Sequence, residues 1–161
     1  MSFLQDVNKW LVKVDYRYNQ AFQNICYDTS MSIAEKTPTS SSKLLGRWEP
    51  SQSTPQFNTW EGGESAWKVG PGGWFKDESI ADANRQMAMN YLEPKVEATT
   101  EQLKGGDTYY FSNNTDYAYI AEMTGWVPYG GETGPYRMVG QTEEEFEAIV
   151  FEAVKKAKQV I

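Results

Sequence analysis

The segment Thr37-Pro38-Thr39-Ser40-Ser41-Ser42-Lys43-Leu44-Leu45-Gly46-Arg47-Trp48 decides how this chain is assembled. Before it, apolar residues recur at Leu4, Val7, Leu11, Val14, Tyr18, Phe22, Ile25 and Ile33. Steps of three and four put them on one stripe of a helix from Phe3 to about Ala34, with Asp6, Lys9, Lys13, Asp15 and Arg17 mostly off it. Pro38 and the Ser/Thr run stop that helix, because the residue before a proline resists the helical region. A second stretch repeats the design: Tyr109-Tyr110-Phe111-Ser112-Asn113-Asn114-Thr115-Asp116-Tyr117-Ala118-Tyr119-Ile120-Ala121-Glu122-Met123-Thr124-Gly125-Trp126. It reads as a strand over 108–112, a polar turn, and a short helix from Tyr117 to Met123, capped by Asn114, Thr115 or Asp116 and ended by Gly125. Each stretch joins a regular element to a polar turn and ends on tryptophan. Neither contains groups arranged to run a reaction.

Residues 49–76 form a Gly/Trp-rich insertion. Glu61-Gly62-Gly63 and Gly70-Pro71-Gly72-Gly73 read as turns around Trp60, Trp67 and Trp74. Three readings of these indoles stand: strand pairs whose indoles fill the core, a subunit contact, or a sugar-stacking surface. A helix follows from Ser79 to about Tyr91, capped by Asp77 or Ser79 and kinked or ended by Pro94, with a further turn reaching Leu103. In the last helix Thr142 and Glu145 form a capping box, and Phe146, Ile149, Val150, Ala153, Val154 and Ala157 form the buried stripe. The expected fold is one α+β domain: a twisted, mainly antiparallel sheet packed by the long N-terminal helix and the C-terminal helix, with strands near Arg47–Pro50, within 56–70, at 108–112 and at 136–139. A first helix this long must lie across a sheet or a neighbouring subunit, with a long coiled-coil partner as the alternative, although an isolated seam would want stricter heptads.

Composition removes several function classes. The chain has 161 residues, about one domain, and a formal charge of −7 with no basic cluster longer than Lys155-Lys156. Tight DNA binding relies on clustered Lys and Arg and is not expected, whereas an acidic wall lets DNA slide past. The absence of histidine removes Ser-His-Asp and Cys-His nucleophilic systems and nearly all mixed-ligand zinc sites. An all-carboxylate mechanism survives, as does a carboxylate-bound Mg²⁺ or Ca²⁺. Cys26, the lone cysteine, cannot form an internal bridge and reads as a buried small hydrophobe. No secretion signal and no membrane-spanning apolar run is apparent, and no cofactor is implied.

The order of these elements resembles the neck, or tail-completion, proteins of tailed bacteriophages. In that family the first helix runs into a Thr-Pro turn, then a basic residue, leucine, glycine and tryptophan; Thr37, Pro38, Lys43, Leu44, Gly46 and Trp48 stand at matching places. Ser40 and Ser42 replace the family's usual Asp and second Gly, which argues against a glycine-type backbone in this turn. A strand followed by Ser112-Asn113, Tyr117-Ala118, Glu122 and Gly125-Trp126 makes the second match, and Tyr136-Arg137-Met138-Val139 before the Phe146 helix a third. The segment 128–135 is longer than the family's short Ala-Pro-Gly linker, and residues 50–76 fall largely outside the match.

The resemblance implies a structural protein of the virion, made in the host bacterial cytoplasm. It implies a homo-oligomeric ring, sixfold or twelvefold, that joins portal or adaptor to tail around a DNA channel. Its partners would be copies of itself, the adjacent portal, adaptor, stopper and tail proteins, and genomic DNA in passive contact, with no membrane. A tail terminator or stopper of the same particle is the neighbouring alternative. A carbohydrate-binding or glycoside-hydrolysing module is the competing class, motivated by six tryptophans, ten tyrosines and excess acid, with Glu61, Glu64, Asp77 and Glu78 as its candidate carboxylates. Trp48, Trp60, Trp67, Trp74, Tyr117, Glu122, Trp126, Tyr129 and Arg137 are the expected structural and interface residues. Glu122 is expected to accept a hydrogen bond or to pair with Arg137 or Arg47.

Overall fold

A computed structural model describes residues 2–125 and 135–159 of the chain. Helix α1 spans Phe3–Lys36, two residues past the expected end. Thr37 stops it: its hydroxyl donates to the Ile33 carbonyl at 2.9 Å. The last carbonyls of a helix have no partner within it. Here Arg85, from a later helix, donates to the carbonyls of Thr37 at 3.0 Å and Glu35 at 2.6 Å. Its charge also suits the negative end of the helix dipole.

A single helical turn, α2 (Lys43–Gly46), leads into strand β1 (Glu49–Gln52). β2 (Trp67–Gly70) and β3 (Gly73–Lys76) form a hairpin around Pro71-Gly72, as the Gly-Pro-Gly-Gly run predicts. Helix α3 (Glu78–Thr100) is followed by β4 (Tyr109–Ser112), α4 (Ala118–Met123) and α5 (Met138–Gln159). The fold is α+β with antiparallel pairing, but the strands form two separate ribbons, β1–β4 and β2–β3, instead of one sheet.

Three boundaries differ from the sequence reading. Asp77 caps α3 as expected, accepting from the backbone N–H of Ser79 at 3.0 Å and Ile80 at 3.3 Å. The helix then passes straight through Pro94 to Thr100. Leu92 and Val96, on either side of the proline, are fully buried, and that packing outweighs the missing N–H. Helix α4 begins after Tyr117, with no side-chain cap from Asn114, Thr115 or Asp116.

The expected strand at 136–139 is instead the approach to and first turn of α5, which begins four residues before Thr142. Thr142 is therefore not a cap. It is buried inside the helix, donating to the Met138 carbonyl at 2.8 Å and lying 3.0 Å from the Ser32 hydroxyl. Its supposed partner Glu145 pairs with Lys36 at 2.9 Å, and that bond holds the carboxyl below its usual range.

Helix α5 lies along the second half of α1 in the opposite direction, since contacts step from Lys36 with Glu145 back to Asp28 with Lys156. The core gathers Ile33, Leu44, Leu45, Trp48, Leu92, Val96 and Met138. Every helix contributes to it, α4 through Ala121 and α5 through Met138.

Candidate functional site: the Trp48 joint and the Trp74 hairpin

The two stretches that decide the sequence reading meet in space. β1 pairs with β4 so that Pro50 lies opposite Phe111. The Trp48 ring stacks on Phe111, centroids 4.9 Å apart and planes within 11°. The indole N–H of Trp48 donates to Thr37 Oγ1 at 3.0 Å, so the polar handle of a buried tryptophan is satisfied. Asn113 closes the joint: its amide donates to the Leu44 carbonyl at 2.7 Å, while its oxygen accepts from the Thr115 N–H at 3.0 Å.

The serine turn corrects the sequence argument. Ser42 sits at φ 64° and ψ 16°, in the left-handed region. A glycine-type backbone is thus retained with a serine in it, and the surrounding packing holds the strain. Ser41 makes the local turn bond, accepting from the Lys43 N–H at 3.3 Å. Ser40 instead accepts from the Ala66 N–H at 3.1 Å, tying the turn to the insertion. Asn84 of α3 fastens the same two segments, donating to the carbonyls of Ser40 and Glu64, each at 2.6 Å.

Around the joint runs a belt of charge and aromatic rings. Arg47 donates from Nε to the Trp60 carbonyl at 2.7 Å and pairs with Glu61 at 2.9 Å; Lys43 pairs with the same carboxylate at 3.1 Å. Lys43, with Arg47 behind it, lowers the Glu61 pKa. Trp60 stacks on Tyr91 at 4.4 Å. A Cβ at Gly46 would stand 2.2 Å from the Trp60 ring, so glycine is what admits that indole. Lys95 pairs with Glu49 and lies 4.6 Å over the Tyr91 ring. Tyr117 packs against the core beside this belt, and burial pushes its hydroxyl pKa up.

Glu122 caps α5. Its two oxygens accept from the N–H groups of Val139 at 3.0 Å and Gly140 at 2.9 Å, placing a carboxylate at the positive end of the helix. The hydrogen-bond expectation for Glu122 is met, whereas the ion pair of Arg137 is with Glu144. Trp126 and Tyr129 lie outside the described residues.

The second cluster is the β2–β3 hairpin. Trp67 is half-buried, while Val69, Trp74 and Phe75 are exposed. Three of the four candidate sugar-cleaving acids are otherwise engaged or set low. Glu64 pairs with Lys68, Asp77 caps α3, and Glu78 lies in the first turn of that helix. A general acid of a glycosidase pair needs its pKa raised; those of Glu61 and Asp77 are lowered, Asp77 chiefly by its bond from the Ser79 hydroxyl. Among the described residues no group of three acids or cysteines is placed to hold a metal. Burial raises the Cys26 thiol to about 11, so it behaves as the inert hydrophobe expected.

Arg85 and Asn84 escaped the sequence reading because their partners lie 20 to 50 residues away, beyond any local pattern. No helix among the described residues is long and apolar enough to cross a membrane. No family model matches this chain, and no curated protein or solved structure does either.

Proposed function

We propose that this chain is a structural virion protein of a tailed bacteriophage, a ring component of the neck that joins head to tail around the DNA channel. The observation that carries the reading is the joint itself. The residues matching the neck family, Thr37, Leu44, Trp48, Asn113 and Tyr117, meet at one corner around Trp48 and Phe111. A second support is what lies outside the joint: the hairpin presents Val69, Trp74 and Phe75 to solvent, and exposed aromatic clusters of this kind suit contacts between protein layers. Repeated copies meeting head to tail close into a ring when the rotation fits. An acidic chain in that position lets DNA slide by repulsion.

Imaging purified particles tests the reading. The expected result is density for this chain in a ring between portal and tail tube, with acidic side chains toward the lumen. Particles that lack the chain, or cleavage of a polysaccharide by the purified protein, would overturn it.

A further inference from the structure

Helix α1 has two halves of different character. Its buried residues begin only at Cys26, and residues 3–16 are exposed apart from half-buried Val7. Yet the first half carries large apolar side chains: Phe3 is 79% exposed, Trp10 62% and Val12 71%. The last part of α1 tied to α3's trailing loop is Tyr18–Gln23. Tyr18 lies against Gly105, Asn19 accepts from the Gly105 N–H at 2.7 Å, and Gln23 donates to the Leu103 carbonyl at 2.8 Å.

The line Leu4-Val7-Leu11-Val14-Tyr18-Phe22-Ile25 continues by helical steps into Asp28, Ser32 and Lys36, the positions that touch α5. Among the described residues the seam that α5 covers therefore runs on, uncovered, for about 20 Å. A strip of similar length flanks the buried Met138, Thr142, Ala153 and Ala157 of α5. Val139, Phe146 and Phe151 are exposed there, with half-buried Val150 and Val154 beside them, again about 20 Å from end to end.

The charges are complementary. Residues 3–17 hold three bases against two acids in a chain whose net charge is −7. The first half of α5 holds four glutamates. Glu144 and Glu145 are paired with Arg137 and Lys36, while Glu143 and Glu147 enter no ion pair among the described residues.

We propose that the projecting half of α1 is an arm that docks on a second copy of this chain. Its Leu4–Val14 stripe lies on the exposed Val139–Val154 strip of the neighbour's α5, and Lys13 and Arg17 face the neighbour's Glu143 and Glu147. Arm and strip are different surfaces, so the contact is heterologous and each copy passes it to the next. Closure into a ring rests on the neck reading above; the contact itself does not.

The test is sedimentation velocity of the full chain over a concentration series, with circular dichroism to confirm that helix content is kept. The wild type is expected to self-associate. An arm variant (Leu11→Glu, Val14→Glu) and a strip variant (Phe146→Glu, Phe151→Glu) are each expected to stay monomeric. Their equimolar mixture is expected to form a heterodimer, since each keeps one intact surface. Lys13→Glu is expected to weaken association by about tenfold or more, and Glu147→Lys in the same chain to restore part of it.

Wild-type protein that stays monomeric throughout, or that instead floats with anionic vesicles, would overturn the proposal, as would variants that associate normally. A neck ring in which the arms miss the neighbouring α5 sinks this inference and spares the functional reading. Arm-dependent association in a chain absent from particles does the reverse.

Discussion

Trp48 and Trp74 occupy corners of the same chain, yet one is 6% exposed and the other 47%. At the first corner every neighbour helps to bury the ring. Thr37 accepts its N–H, Phe111 stacks on it, and Leu44 and Leu45 close the space beside it. At the second corner a four-residue strand pairs with one other four-residue strand, and Trp74 stands opposite Val69, itself 67% exposed. An isolated two-stranded ribbon is at best marginal in water. Fold stability accounts for the burial of the indole at 48; the indole at 74 leaves nearly half of its surface in solvent, where the contact proposed above would cover it.

The strongest way to break that contrast is Trp48→Ala. It removes a buried ring and leaves a cavity between α1 and β4, so the expected cost is about 3–5 kcal/mol. Denaturant unfolding at unchanged m-value would measure it. A loss below about 1 kcal/mol would place Trp48 with ordinary surface residues and dissolve the distinction.

The sequence made the first corner legible because its determinants are local. The Thr-Pro stop, the aromatic run at 109–111 and the Asn113 turn each act over a few residues, and even the hairpin at Pro71-Gly72 follows from turn chemistry. What stayed hidden depends on distant partners. The start of α5 is set by Glu122, 17 residues before Val139, and a last carbonyl of α1 is satisfied by Arg85, 50 residues after Glu35. The proline in α3 is overridden by the burial of Leu92 and Val96. Periodicity showed that α1 has an apolar stripe, but not that α5 covers only its second half.

Glu122→Ala sharpens the packed side of the comparison. It strips both acceptors from the first N–H groups of α5, and a lost cap of this kind costs about 1–2 kcal/mol. Amide exchange should rise first at Val139 and Gly140. Uniformly accelerated exchange throughout α5 would mean that the cap governs the whole helix and not its first turn.

Ser42→Gly works in the opposite direction. The serine holds φ 64°, and its buried hydroxyl has no hydrogen-bond partner among the described residues. Glycine adopts that backbone without the Cβ clash and removes the orphaned group. Its greater freedom in the unfolded chain offsets part of the benefit. The expected net gain is about 1 kcal/mol, or about 3 °C in Tm for a chain of this length. A loss of stability would show that the Ser42 side chain supports the joint by contacts that outweigh its strain.

Trp74→Ser has the smallest expected effect on the free protein. The ring is half in solvent on a strand with one neighbour, so the change in unfolding free energy should stay within about 0.5 kcal/mol. Its consequence should appear elsewhere, as reduced incorporation of the variant when it competes with wild-type protein during particle assembly. The two readouts separate the explanations for an exposed indole. A cost comparable to that of Trp48→Ala would mean that the hairpin is part of the protomer's own core. Unchanged stability with unchanged incorporation would mean that the ring contacts nothing in the particle. Only unchanged stability with impaired incorporation fits a residue whose apolar surface is completed by a neighbouring protein.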